Sequence, residues 1–451
     1  MTADLFDIAL RSSALKKMDD NETLDKVKLS KDQESAAYKI LSDLLGGKHC
    51  CLQGSAGTGK TYTAGAIVEQ LLEYDLVVAA CAPTHKAIEV LRESLSDSVP
   101  SATVHSLLGL VPVRANGEQK LMVKDARIDK RLQILVVDEC SMIGDELFRH
   151  ISQASITYNF TVLFIGDVYQ LPPVMESRSP VFTNNSITKY ALDKIHRQAE
   201  GSKVIELATA VRDSMVNGTD LPNFADYKGK EVRLYSDLYK WGLKVLKGFK
   251  KHDPNDQKLI AYTNAKVLSS AYYIRKERDG YDTREPQKLE VFVANEAISD
   301  PDPQNKDEII INNNQSVVFN DVVENMRGPV KGWDCNVSVM GKDTYDVFVP
   351  ERIEDLERDL ADLKNKALEA KRMKDDRAAS EAWRDYYAAR NACADLRPSY
   401  AQTVHKSQGS GYKTVYLNNH NLQIMARYNA EDYKRALYTA ITRTRNKIHI
   451  F

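Results

Sequence analysis

Four short, unbroken apolar runs punctuate the chain between Leu29 and about Ile195: Cys50–Leu52, Leu76–Ala82, Ile134–Val137 and Thr161–Ile165. Amphipathic stretches at helical spacing separate them. Continuous apolar strands alternating with helices predict a parallel sheet covered on both faces. The same pattern resumes at Lys258–Tyr262, Val415–Leu417 and Lys447–Phe451, which predicts a second α/β domain interrupted by an insertion.

The insertion is patterned differently. Ser316–Val323, Asn336–Met340 and Tyr345–Val349 are short β-rich runs broken by Gly, Pro, Asn and Asp, and they predict a small antiparallel barrel. Glu351 to Cys393 then contains no Gly or Pro. Ile353, Leu356, Leu360 and Leu363 form one apolar stripe at helical spacing, and Ala382, Trp383, Tyr386 and Tyr387 form another. One unbroken helix would span roughly 60 Å at 1.5 Å per residue. A helical hairpin turning near Lys374-Asp375-Asp376 buries the two stripes against each other. In the first domain, Leu110 to Arg131 contains two β-like runs flanking Asn116-Gly117, a strong signal for a hairpin turn because both residues tolerate positive φ. The resulting partition is a polar extension over 1–27, a first α/β domain over 28–195 carrying the hairpin at 110–131, a second α/β domain over 196–288 and 397–451, and the insertion over 289–396.

Composition narrows the class only modestly. A chain of 451 residues is too long for one ordinary core, and 28% charged with 43% hydrophobic residues is typical of a soluble globular protein. A formal net charge of −1 supplies no global basic field, although a local groove can still be basic. The six cysteines form no CxxC pair, so buried free thiols in a reducing compartment are expected rather than a zinc site. No apolar stretch approaches transmembrane length and there is no signal-peptide core, so a cytoplasmic location is expected, the host's cytoplasm if the chain is viral.

Candidate chemistry begins at Gly54-Ser55-Ala56-Gly57-Thr58-Gly59-Lys60-Thr61, a full G-x-x-x-x-G-K-[ST] phosphate loop between a strand and the helical stretch Tyr62–Leu72. Glycines let backbone N–H groups curl around phosphate oxygens, and the helix N-terminus adds partial positive charge. Lys60 is expected on the β- and γ-phosphates, and the Thr61 hydroxyl on Mg²⁺. Ile134–Val137 ends in Asp138-Glu139, two carboxylates at the end of a buried strand. Asp138 is expected to hold Mg²⁺ through its water shell, and Glu139 to orient and deprotonate an attacking water. After the next strand, Gly166-Asp167-Val168-Tyr169-Gln170-Leu171-Pro172-Pro173 offers Gln170 to the γ-phosphate and that water.

These motifs together resemble the superfamily 1 helicases. Asp138-Glu139-Cys140-Ser141-Met142 and the Gly166–Pro173 segment are similar to motifs II and III, Ala82–Ala87 to motif Ia, and Ala102–Ser106 to motif Ib. Ala401–Gly409 resembles motif V and Leu437–Arg445 motif VI. His405-Lys406-Ser407-Gln408-Gly409 is most similar to the RecD-like branch, and the compact length to the bacteriophage Dda type. The resemblance implies two RecA-like parallel-sheet domains, with a β-hairpin in the first and an SH3-like barrel plus helical tower (351–393) inserted in the second. It places adenine recognition on Gln33. It places the γ-phosphate under two arginines, Arg197 and Arg443, such fingers being worth about 10³–10⁵ in rate. It places a single-stranded DNA track on Pro83, Thr84, His85, His105, Asn264, Thr403 and His405, where stacking contributes about 1–3 kcal/mol per base.

The implied activity is ATP- and Mg²⁺-dependent translocation 5′→3′ on single-stranded DNA, with a forked duplex parted at a pin around Asn116-Gly117. Separation of a base-pair step costs about 1.4 kcal/mol on average, so a rigid wedge helps. Replication or recombination proteins are the expected protein partners, and the motif order permits a functional monomer. The residues leave open a translocase that strips proteins without parting strands, a 3′→5′ motor, and an RNA motor. A regulatory nucleotide switch is disfavoured by motifs V and VI.

Overall fold

The computed structural model describes residues 11–16, 18, 28–115, 118–194, 201–300, 309–327, 330–339 and 343–451. They fall into two compact units, one formed by residues up to 236 together with 407–451, the other by 237–406.

The first unit is built on strands β1 (Cys50–Gly54), β2 (Val78–Ala82), β3 (Ser101–Thr103), β4 (Leu110–Ala115), β5 (Glu118–Val123), β6 (Ile134–Val137), β7 (Thr161–Gly166) and β8 (Thr188–Leu192). Six of these form one parallel sheet in the order β3-β2-β6-β7-β1-β8. The runs Cys50–Leu52, Val78–Ala82, Ile134–Val137 and Val162–Ile165 are apolar at every position because both faces are covered. Cys50, Leu52, Ile134, Val136, Leu163 and Ile165 pack on one side with Ile40, Leu41, Ile67 and Leu71. Cys51, Leu135, Val137, Val162 and Phe164 face the other, with Leu107, Ile143, Leu147 and Ile151. This is the two-residue period of a strand written into a continuous apolar run. The order has a functional consequence. β6, β7 and β1 are neighbours, so the loops leaving their carboxyl ends meet in one crevice, at a topological switch point.

β4 and β5 pair antiparallel from Leu110↔Val123 to Ala115↔Glu118. The backbone N–H of Leu121 donates to Glu146 Oε1 at 2.8 Å, which ties the ribbon to the Asp145–Tyr158 helix. The turn residues expected at the tip, Asn116 and Gly117, lie outside the described residues, as does Arg197. Strands Val232–Leu234, Thr444–Ile450 and Tyr412–Leu417 complete the first unit as three parallel neighbours.

In the second unit, Gln257–Ala261 pairs parallel with Ala401–Thr403. The inserted segment forms an antiparallel five-stranded sheet, ordered Asp343–Pro350, Val330–Val339, Ser316–Arg327, Val291–Ala294, Leu396–Pro398. A bridge between Phe348 and Cys393, just before the last strand, links the two edges, so the sheet curls towards a closed barrel around Phe292, Phe319, Trp333 and Val337. Helices Ile353–Arg372 and Asp376–Ala392 follow as a hairpin. They turn at Lys374, which has φ of 58°, and Asp375 caps the second helix by accepting from Ala378 N–H. Among the described residues, no helix is long and apolar enough to cross a membrane.

Candidate nucleotide and nucleic-acid sites

Gly57 and Gly59 both adopt positive φ, 89° and 79°, so the loop after β1 folds back on itself before the Lys60–Glu73 helix begins. A side chain at Gly54 would come within 2.9 Å of the Leu192 carbonyl, and one at Gly59 would meet the Gln33 amide. Lys60 Nζ donates to the carbonyls of Gly54 (2.7 Å) and Ser55 (3.1 Å), which draws the ammonium over the loop.

A cavity of about 660 Å³ opens above it, large enough for a nucleotide. Its walls include Gln33, Lys60, Thr61, Asp138, Glu139, Gln170, Arg443 and Arg445. Gln33 sits in a capping box. Its Oε1 accepts from Ser30 N–H (3.0 Å), and its Nε2 donates to the Thr58 carbonyl (3.1 Å). Each end of that amide keeps one further hydrogen-bonding capacity, enough for a bidentate contact with a base edge.

Asp138 is 8% exposed and accepts from Glu139 N–H at 2.7 Å. Burial, then the neighbouring Glu139 charge, raises its pKa above the usual carboxylate range. A divalent cation would reverse that shift. One hydroxyl (Thr61) and one carboxylate (Asp138) beside a phosphate cradle fit Mg²⁺, which commonly keeps several waters and takes few protein ligands. Glu139 occupies the left-handed region with φ of 50°, a strained conformation for a residue bearing a side chain, and its Oε1 lies 3.8 Å from Arg443 Nη1. Arg443, 6% exposed, also donates to the carbonyls of Thr439 (3.2 Å) and Ser410 (3.2 Å). Gln170 is 5% exposed, and its Oε1 is buried without a hydrogen-bond partner. Such an acceptor costs about 1–3 kcal/mol unless something donates to it.

Three residues in or beside the cleft had no role assigned from sequence. Arg445 is exposed on the cavity wall. Arg212 donates to Ser55 Oγ at 3.0 Å, and the Tyr438 hydroxyl accepts from Ala56 N–H at 3.1 Å. Arg445 was visible in its motif. Tyr438 lies in the same motif, whereas Arg212 comes from a helix remote in sequence and carries no local signal.

The candidate DNA-track residues sit at carboxyl ends of adjacent parallel strands in each unit. In the first, Thr84 follows β2 and accepts from Ala87 N–H (3.2 Å), while Thr103 ends β3 and accepts from Ser106 N–H (3.1 Å). Pro83, His85 and His105 flank them, all half-buried. Burial pushes the His105 pKa down, so its ring favours the neutral form at pH 7. In the second unit, Thr263 and Thr403 cap in the same way, accepting from Lys266 and Lys406 N–H at 3.3 Å each. Asn264 is exposed beside Thr263, and the His405 ring lies 6.3 Å from that of Tyr262. A hydroxyl that accepts in such a cap, as those of Thr84, Thr103 and Thr403 do, also carries a proton that it can donate to a phosphate. Lys406 instead turns to Asn295, donating to its carbonyl at 2.5 Å, and burial pushes its pKa down to about 8.

Residues 28–227 match the AAA domain family, and 398–451 the UvrD-like helicase C-terminal domain. The ATP-dependent DNA helicase dda of Enterobacteria phage T4 is 25% identical, over 92% of this chain and 98% of its own. The ATP-dependent RecD2 DNA helicase of Deinococcus radiodurans is 33% identical, over 40% of this chain and 23% of its own. A Pif1 helicase from Bacteroides, solved with ADP-AlF3 and ssDNA, shares the fold at a TM-score of 0.50 and 15% identity, covering 94% of this chain and 92% of that one. The chain belongs to the RecD-like branch of the superfamily 1 helicases, together with the Dda type, and is an ATP-hydrolysing DNA helicase.

Proposed function

We propose that the chain moves 5′→3′ along single-stranded DNA and parts a duplex at the β4–β5 hairpin. The observation that carries this reading is the convergence of Lys60, Asp138, Glu139, Gln170 and Arg443 on one cleft within a RecD-like motor. On nucleotide binding, Lys60 exchanges the loop carbonyls for β- and γ-phosphate oxygens. Thr61 and Asp138 would hold Mg²⁺, which would supply positive charge to offset that developing on the phosphates. Glu139 takes the proton of the attacking water, and Gln170 Oε1 accepts its other hydrogen. Arg443 exchanges Glu139 for the γ-phosphate as charge develops, and Arg197 joins it there.

The repeated threonine caps support a phosphate-binding row in each unit, on Thr84 and Thr103 in the first and on Thr263 and Thr403 in the second. Pro83, His85, His105, Asn264 and His405 complete it by packing and stacking. Stepping follows if hydrolysis loosens one set of caps while the other holds.

Unwinding of duplexes bearing a 5′ or a 3′ single-stranded tail tests the reading. Opening of the 5′-tailed duplex alone is expected. Opening of the 3′-tailed one alone overturns the polarity. Failure of both, with single strands still stimulating hydrolysis, overturns the pin.

A further inference from the structure

Gln170 is held in place by a helix more than two hundred residues away rather than by its own strand. The Ala430–Thr442 helix turns one face, Arg435, Tyr438 and Thr439, onto the segment that follows β7. Arg435 Nη1 donates to the Val168 carbonyl (2.6 Å) and to that of Gln170 (3.4 Å). Thr439 Oγ1 accepts from Leu171 N–H (3.1 Å), and Gln408 Nε2 donates to the Leu171 carbonyl (3.0 Å). The Tyr438 hydroxyl donates to Asp167 Oδ2 (2.7 Å) while accepting from Ala56 N–H (3.1 Å) in the phosphate loop. Arg212, from the helix packed alongside, fixes the adjacent Ser55 hydroxyl. The same helix ends at Arg443, its C-cap.

We propose that Tyr438 is a positioning residue. Its hydroxyl bolts the phosphate loop to the Asp167–Leu171 segment, so that Gln170 and Arg443 approach the γ-phosphate as one rigid set. The spacing explains why one helix face suffices, because residues i, i+3 and i+4 lie together on one side. The geometry also explains how Gln170 can keep an unpartnered Oε1. The helix secures its backbone through the carbonyls of Val168 and Gln170 and the N–H of Leu171, leaving the side chain to the reaction. None of the three clasping side chains lines the cavity above the phosphate loop, so their effect is expected on turnover and not on binding. This rests on the role of Gln170 proposed above.

The test compares Tyr438→Phe, Asp167→Asn and their double variant in single-strand-stimulated ATPase assays, with Gln170→Met alongside. A hydrogen bond to a charged group is worth about 1.5–3 kcal/mol, so turnover is expected to fall about tenfold or more in each single variant. KM for ATP should stay within about twofold, and the double variant should be no worse than the poorer single one, because both act through the same bond. Thr439→Val, which removes a separate contact to the same segment, should show the same split between kcat and KM. Turnover within twofold of the parent for Tyr438→Phe and Thr439→Val, with Gln170→Met impaired, overturns the clasp and leaves the Gln170 role standing. Multiplying losses in the double variant also overturn it. Should Gln170→Met keep full turnover, both the role of Gln170 and the clasp that serves it fall together.

Discussion

Two buried ionic clusters in this chain look alike in composition and differ in how well they are satisfied. In the second unit, Arg275 and Glu290 have side chains 0% and 7% exposed. Arg275 Nε and Nη2 donate to the two carboxylate oxygens at 2.5 and 2.9 Å, and further donors reach the carbonyls of Thr283 and Glu285. The guanidinium fork is filled. In the first unit, Glu139 and Arg443 are also largely buried, but they meet only at 3.8 Å while Arg443 donates instead to the Thr439 and Ser410 carbonyls and the Thr442 hydroxyl, and Gln170 Oε1 beside the same cleft has no partner. A filled cluster has no capacity left for a substrate, so its removal registers in stability. An unfilled cluster retains capacity for charge and protons that arrive with a ligand, so its removal registers in rate.

The contrast breaks most readily at Arg443. Arg443→Ala should lower single-strand-stimulated turnover by about 10³-fold, the scale of an arginine finger, with little change in nucleotide affinity. A twofold loss in steady-state ATPase would make it an ordinary ion pair. Gln170→Met comes next. It keeps the volume and removes an unpartnered carbonyl, so turnover should fall by about 100-fold while the melting temperature holds or rises. A clear drop in melting temperature would show that the carbonyl had a structural partner. Arg275→Met should have the smallest effect on rate. Unfolding in urea should register a loss of about 3–5 kcal/mol, the cost of stranding Glu290, with turnover per folded molecule unchanged. Adding Glu290→Gln should recover part of that loss.

Sequence alone located the residues that line the cleft more fully than the framework that holds them. Lys60, Asp138, Glu139 and Gln170 lie in the segments that follow apolar strands, and the strand order puts those segments side by side. That part was legible because each motif is local. The long strands of the insertion and the turn at Lys374 were legible for the same reason, from β-rich runs and from a helical stretch lacking Gly and Pro. The edge strands Thr188–Leu192 and Val232–Leu234 were not seen. Thr188–Leu192 is largely half-exposed, and Val232–Leu234 is only three residues long with one buried position, so neither produces a continuous apolar run. The hold of Arg435 and Tyr438 on Val168 and Asp167 was invisible for a deeper reason. These bonds join residues separated by 267 and 271 positions, and Arg435 binds backbone carbonyls, whose positions no side-chain pattern records. Arg212 escaped notice in the same way, since its partner Ser55 lies 157 positions away.

The central claim is that the first unit's cleft hydrolyses ATP with Glu139 as the base. Steady-state ATPase of Glu139→Gln with saturating single-stranded DNA, paired with equilibrium binding of ATP, tests it most directly. The account predicts turnover lowered by about 10²–10⁴-fold, the scale of a general base, while ATP still binds within a few-fold of the parent. Turnover within tenfold of the parent, with binding intact, would contradict it and move the base elsewhere in the cleft.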